Sequence, residues 1–172
     1  MLGLGKKSLW VAVGIATAIS GAIPSTGSAA PVCTVQSLQS YISLGSGGCT
    51  VLDKLFSNFL YSQSGAPLAS QVTVTPLTDS LLNPGVRFTG GFVATGISVV
   101  DAAWSFSVDV LPGSPYKIHD VGLLIAGSAN GNAFATLGET VCLGGLCPGS
   151  GPSVNLAANL FPGSAQATDH KV

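Results

Sequence analysis

Ala102-Ala103-Trp104-Ser105-Phe106-Ser107-Val108-Asp109-Val110-Leu111 decides the fold. Large apolar residues occupy every second position, Trp104, Phe106, Val108 and Val110, while Ala103, Ser105, Ser107 and Asp109 fill the alternate places. A period of two puts the first set on one face of a strand and the second on the other. The stretch therefore reads as a half-buried β-strand whose Trp104 face turns inward. The same period extends from Thr50 onward, with strand character at 51–61, 70–76, 86–92, 98–111, 117–126, 133–143 and 153–160. Turn chemistry separates these segments: Ser64-Gly65-Ala66-Pro67, Asn83-Pro84-Gly85, Pro112-Gly113-Ser114-Pro115 and Ala129-Asn130-Gly131-Asn132. Asn130-Gly131, flanked by apolar alternation, carries the clearest hairpin signal.

Short strands at regular spacing predict an all-β fold, an antiparallel β-sandwich of about 7–8 strands. An outer-membrane barrel shares the alternation and the low charge. Aromatic residues make up only 7% of the chain, too few for two girdles, and the end Thr168-Asp169-His170-Lys171-Val172 is polar, so the sandwich is preferred. Ahead of the strands, Val35, Leu38, Tyr41, Ile42 and Leu44 fall near helical spacing. This predicts one short helix over 34–44, with Thr34 as its N-cap and Gly45-Ser46-Gly47-Gly48 as its end. The stretch 148–152, Pro-Gly-Ser-Gly-Pro, reads as a loop or boundary.

The first thirty residues are of another kind. Met1-Leu2-Gly3-Leu4-Gly5-Lys6-Lys7 is a short positive region, 9–23 is apolar, Pro24 breaks any helix, and Ser28-Ala29-Ala30 offers small residues for cleavage. This is the pattern of a secretory signal peptide, with Ala29–Ala30 the expected bond. The apolar run is shorter than the roughly 20 residues of a bilayer span, which favours removal over retention as an anchor, and no membrane span is expected once it is removed. Val32 before Cys33 does not suit a lipoprotein signal, and no acid occurs before Asp53 to suit a type IV pilin leader. The expected organisation is a signal at 1–30, a short helix and disulfide loop at 31–49, and a β-sandwich domain at 50–172.

All four cysteines, Cys33, Cys49, Cys142 and Cys147, lie outside the signal. An even count in an exported chain reads as two disulfides, for which three pairings exist. The local one, Cys33–Cys49 with Cys142–Cys147, is the simplest, and its first loop is worth about 3 kcal/mol on chain entropy. No Cys-x-x-Cys pair occurs, and His119 and His170 lack ligand-like spacing, so no metal or other cofactor is expected. After signal removal Lys54, Arg87, Lys117 and Lys171 face seven acids, a net charge of −3. Such a chain has no electrostatic footprint for nucleic acid. Only 8% of all residues are charged, so Ser, Thr, Asn, Gly and Ala must cover the surface.

Gly47-Gly48-Cys49-Thr50-Val51-Leu52-Asp53-Lys54-Leu55-Phe56-Ser57-Asn58-Phe59 resembles the GGCTIGDKTFSNF-like block near the mature start of many PEP-CTERM sorting-domain proteins. Ser70-Gln71-Val72-Thr73-Val74-Thr75-Pro76, Asn83-Pro84-Gly85-Val86-Arg87-Phe88, the strand around 104–110, and Glu139-Thr140-Val141-Cys142 are similar to that group too. The resemblance covers most of 31–142. It implies an exported bacterial surface or matrix protein; the family's Pro-Glu-Pro tail, apolar helix and basic end do not occur before Val172.

Chemistry is sparse. His119-Asp120 with Ser114 nearby contains the elements of a Ser/His/Asp hydrolase, but no G-x-S-x-G elbow supplies the nucleophile. Adjacent residues of a strand point to opposite faces, so Asp120 is badly placed to orient His119, which reads as a rim residue. Asp101, Asp109, Asp120 and Glu139 are candidates for the paired carboxylates of glycoside hydrolysis, at spacings no better than chance. The chain is therefore expected to be a non-enzymatic secreted or cell-surface structural protein, associated with a matrix through extracellular polysaccharide or through self-association. The alternative is an extracellular glycan-binding β-sandwich module. Its candidate contacts are Trp104, Tyr61 and Tyr116, with Phe92 beside them, although core positions suit these aromatics better.

Overall fold

The computed structural model describes residues 29–78, 84–95, 98–130, 133–142 and 152–171. They are predominantly β, with every paired strand antiparallel and one short α-helix. In chain order the elements are β1 (Gln36–Ser37), α1 (Leu38–Ser43), β2 (Cys49–Val51), β3 (Lys54–Ser64), β4 (Thr73–Leu77), β5 (Gly85–Thr89) and β6 (Asp101–Val110). β7 (Val121–Ala126), β8 (Ala135–Cys142), β9 (Ser153–Leu160) and β10 (Gln166–Lys171) follow. The sheets run β1-β4-β5, β2-β3-β6, β10-β7 and β8-β9. The antiparallel all-β class is as expected, but the ten strands among the described residues, in four small sheets, do not form one clear sandwich of seven or eight.

The expected strand 51–61 is two strands joined by a tight turn. Val51 pairs with Lys54, leaving Leu52-Asp53 as a two-residue loop, and Leu52 adopts φ 54°. Positive φ at the first loop residue alone is the type II′ pattern, a position that favours glycine. Farther along β3 the register jumps from Ser57↔Ser107 to Leu60↔Ser105, so Asn58 and Phe59 oppose Phe106 alone. This is a β-bulge, and Asn58 takes the left-handed conformation (φ 55°) that Asn tolerates better than most residues. The bulge shifts the alternation by one, so Phe56 and Phe59, three apart in sequence, both reach the core. A strict period of two does not anticipate that.

Cys33, Leu38, Tyr41, Cys49, Val51, Phe56, Phe59, Val72 and Val74 form the buried cluster, with Phe88, Phe106 and Val108 packed on it. Tyr41 meets Phe59 edge-on at 5.0 Å, Phe59 stacks on Phe106 at 5.4 Å, and Phe88 lies 5.0 Å from Trp104. The row Trp104, Phe106, Val108, Val110 does face inward, with Asp109 exposed opposite, but its members are half-buried rather than fully enclosed. β6 is the edge strand of its sheet among the described residues, which limits how much neighbouring structure covers it.

The helix begins later than expected. Gln36↔Val74 and Ser37↔Thr73 pairing keeps the chain extended through β1, so Ser37, not Thr34, is the N-cap, its Oγ accepting the Ser40 N–H at 3.2 Å. Thr34 serves instead through its carbonyl, which accepts the Tyr41 hydroxyl at 2.8 Å. Cys33 and Cys49 are joined, as expected, and close this region against β2. Cys142 is also disulfide-bonded, while Cys147, its expected partner, lies outside the described residues. So does the signal segment, except for Ala29 and Ala30.

The second half departs further from expectation. The strands flanking Asn130-Gly131 do not pair with each other: β7 pairs with β10 and β8 with β9. The Ala133 N–H does bond to the Asn130 carbonyl at 3.1 Å, but Gly131 and Asn132 lie outside the described residues. The polar end of the chain, for which no strand was expected, contains β10. Its half-buried positions are the small Ala167 and the polar Asp169, which bonds to the Ala157 and His170 N–H groups, so its sequence carries no hydrophobic period. Leu111-Pro112-Gly113-Ser114 and Phe161-Pro162-Gly163-Ser164 close β6 and β9 with the same device. In each, the Ser N–H bonds to the first residue's carbonyl (3.1 and 3.0 Å) and Gly takes φ 85° or 84°. Pro then Gly at the centre of such a turn is type II chemistry.

Candidate functional site

The residues singled out for chemistry end up in separate places. Ser114, held by its Pro-Gly turn, donates its hydroxyl to the Asp53 carboxylate, and its Oγ accepts the Tyr116 N–H at 3.1 Å. Asp53 also receives the Lys54 ammonium at 2.7 Å. These two donors, Lys54 first, hold the Asp53 carboxyl below its ordinary range. Lys54 is only 5% exposed because it lies on the inward face of β3 opposite Val110, so its charge needs the adjacent carboxylate. The trio clasps the 111–116 loop to the β2–β3 turn, helped by the Leu111 N–H bonded to the Asp53 carbonyl. The serine proton points at a carboxylate and not at an imidazole base, which is the geometry of a structural clasp.

Asp120 finds a different histidine from the one sequence adjacency suggests. His170 on β10 meets it through Nε2 at 2.7 Å. That bond, with the charge of His119 as a smaller influence, lowers the Asp120 carboxyl. His119 is exposed just ahead of β7, a rim position as expected. One residue before His170, Asp169 accepts the Ala157 N–H of β9 and the His170 N–H, at 2.9 and 2.8 Å, and these bonds lower its carboxyl. A backbone N–H of β9, which pairs with β8 alone among the described residues, is thus satisfied by a side chain of β10. Both pairs fasten β10 to its neighbours.

Asp101 and Asp109 do not form a hydrolytic pair. They sit at opposite ends of β6, eight residues and about 27 Å apart at strand rise, far beyond the separation glycoside hydrolysis uses. Glu139 lies in mid β8 on the inward face, between Leu137 and Val141 and opposite Leu156. Burial there raises its carboxyl above the ordinary value. No group of three or more His, Cys, Asp or Glu among the described residues could hold a metal ion.

The aromatic candidates are also dispersed. Tyr61 is the cross-strand neighbour of Trp104, but its hydroxyl donates to the Pro67 carbonyl at 2.7 Å and its ring packs on the core. Phe88 and Phe92 cover the Trp104 ring at 5.0 and 6.2 Å. Tyr116 is 49% exposed, but it follows the opposite end of β6. The three therefore make no common platform. A shallow groove of about 270 Å³ runs beside the disulfide between Val32, Thr50, Leu52 and Pro76, and no ionisable side chain lines it.

Two aromatics not singled out from sequence are the most exposed of their kind: Phe134 at 69% and Phe161 at 58%. They stand immediately beyond the last rung of the β8–β9 ladder, Ala135↔Leu160, one on each strand. The signal available was the Phe-Pro-Gly turn at 161–163, which parallels Leu-Pro-Gly at 111–113 and marks a strand end. The outward rungs behind them are Thr136↔Asn159, Gly138↔Ala157 and Thr140↔Asn155, all exposed. The Thr140 hydroxyl bonds to the Asn155 carboxamide oxygen at 2.8 Å. Among the described residues no helix is long and apolar enough to cross a membrane. Comparison with protein-family models, with curated proteins and with solved structures gives no match.

Proposed function

We propose that this chain is an exported structural protein of the cell surface or extracellular matrix, without catalytic activity. The observation that carries the reading is the Cys33–Cys49 disulfide, which closes the helix and β2 over the main buried cluster. Such a bond persists in oxidising compartments, in keeping with the signal-like first thirty residues. The surface is in keeping with it: outward positions of β8 and β9 carry Thr, Asn, Ser, Gly and Ala, and Asp53, Lys54, Ser114, Asp120, Asp169 and His170 are engaged in fastening loops and strands. The PEP-CTERM-like block points the same way, since Gly48 to Phe59 spans the hairpin and bulge that organise this core.

The test is expression with the native N-terminus in a Gram-negative host, followed by fractionation and intact-mass analysis. The expected product lies outside the cytoplasm, begins at Ala30 and carries no free thiol. Recovery of Met1-starting, reduced protein from the cytoplasm would overturn the reading.

A further inference from the structure

We propose that the outward face of the β8–β9 ladder, bounded by Phe134 and Phe161, is a binding face for a neutral polysaccharide; this rests on the extracellular reading above and names the partner class. Three properties of the face converge. Its polar groups are hydroxyls and carboxamides, Thr136, Thr140, Asn155 and Asn159, arranged in two cross-strand rungs on an antiparallel pair. Between those rungs Gly138 opposes Ala157, so nothing bulky interrupts the surface, and no atom lies within 4 Å of where a Cβ on Gly138 would stand. Two phenylalanines, each more than half exposed, stand at one end.

Hydroxyl and amide groups exchange hydrogen bonds with sugar hydroxyls in either direction. Exposed aromatic rings next to them supply apolar contact for the C–H faces of pyranose rings. The two strands turn no ionisable side chain outward: the one acid in β8, Glu139, points to the opposite side, β9 has none, and the nearest carboxylate, Asp169 of β10, is engaged by the Ala157 N–H at the edge of the face. With a net charge of −3 on 31–172, an acidic polysaccharide is disfavoured, which leaves the uncharged class. An apolar protein partner suits the face less well, because its central rungs are polar and already in contact with water. The usual sugar-stacking residue is excluded by geometry, since Trp104 lies under Phe88 and Phe92.

The experiment is affinity gel electrophoresis of the oxidised chain lacking residues 1–29 through gels containing hydroxyethylcellulose or dextran. Parallel gels contain alginate, an acidic polysaccharide. The expected result is retardation by at least one neutral glucan and not by alginate. The Phe134→Ala/Phe161→Ala pair should weaken that retardation roughly tenfold in apparent affinity. Asn159→Ala should weaken it less, and Leu124→Ala, on the outward face of β7, should leave it unchanged. Circular dichroism on each variant confirms the fold. Wild-type chain unretarded by either glucan, or retarded equally after the double substitution, would overturn the proposal. A double variant that turns a dimer into a monomer with unchanged glucan retardation would also overturn it, assigning the face to self-association. Glucan retention by a chain that proves cytoplasmic would keep this face and remove only the export reading.

Discussion

The region up to β6 and the region from β7 onward bury their residues in different ways. In the first, Tyr41, Phe59, Leu38, Val51, Val72 and Val74 have almost no exposure, aromatic rings touch from Tyr41 through Phe106 to Trp104, and a disulfide closes the loop. In the second, full burial is reached by Leu156, Ala158, Leu160 and Ala129, while Leu123, Ile125, Leu137 and Val141 stay half-buried. There the strands are held by polar fastenings: Asp169 on the β9 edge, His170 on Asp120, and a second disulfide through Cys142. Area removed from water is the main source of stability, so the first region carries more of it. The second keeps its outward faces open, as the proposed polysaccharide face requires.

The largest test of that contrast is Phe59→Ala. It removes a ring that touches Tyr41 and Phe106 in a nearly closed site, and should cost about 3–5 kcal/mol in urea unfolding followed by Trp104 fluorescence. Next comes Gly48→Ala. Gly48 sits at φ 57°, and an added Cβ would fall 2.2 Å from the Phe56 carbonyl oxygen, inside the β2–β3 hairpin. Strain plus overlap should cost about 2–3 kcal/mol by the same measurement.

Glu139 sharpens the comparison through pH. Its carboxyl is raised in the folded state by burial, so between its ordinary value and the raised one the folded chain binds more protons than the unfolded. Stability from this group is therefore present below the ordinary value and lost as pH rises through that window. Glu139→Gln should remove this downward slope, read as hydrogen-exchange protection of β8 and β9 amides corrected for intrinsic rates. Asp53 acts in the opposite sense in the first region: its lowered carboxyl contributes above its ordinary value and is lost as pH falls through the folded one. The smallest effect is expected for Leu52→Gly. Leu52 has positive φ where glycine is favoured, so the substitution should stabilise the first region by roughly 0.5–1 kcal/mol.

Legibility in the sequence follows the same divide. The inward row of β6, the Cys33–Cys49 bond and the turns at 112–114 were readable, because burial, oxidation and Pro-Gly chemistry each leave a local mark. The Phe56/Phe59 bulge was not, since a one-residue insertion looks like a break in alternation until the partner strand is known. β10 escaped because Asp169 and His170 occupy it for partners far away in sequence, and such polar pairing has no period. The hairpin signal at Asn130-Gly131 was local chemistry overruled by pairing at longer range, β7 with β10 and β8 with β9. Phe134 and Phe161 became visible as a pair only when the β8–β9 register set them at the same end of one ladder.

The central claim is that the two regions are separately packed, the first stable through its aromatic core and the second held more lightly. Trp104, the sole tryptophan of 31–172, lies in the first core, whereas far-UV circular dichroism sees both. The decisive measurement follows both signals through one urea titration of wild type and Leu156→Ala, a substitution that should cost the second region about 2–5 kcal/mol. The account predicts that Leu156→Ala brings an early phase into the dichroism while the Trp104 midpoint stays in place. Coincident transitions that shift together would contradict it.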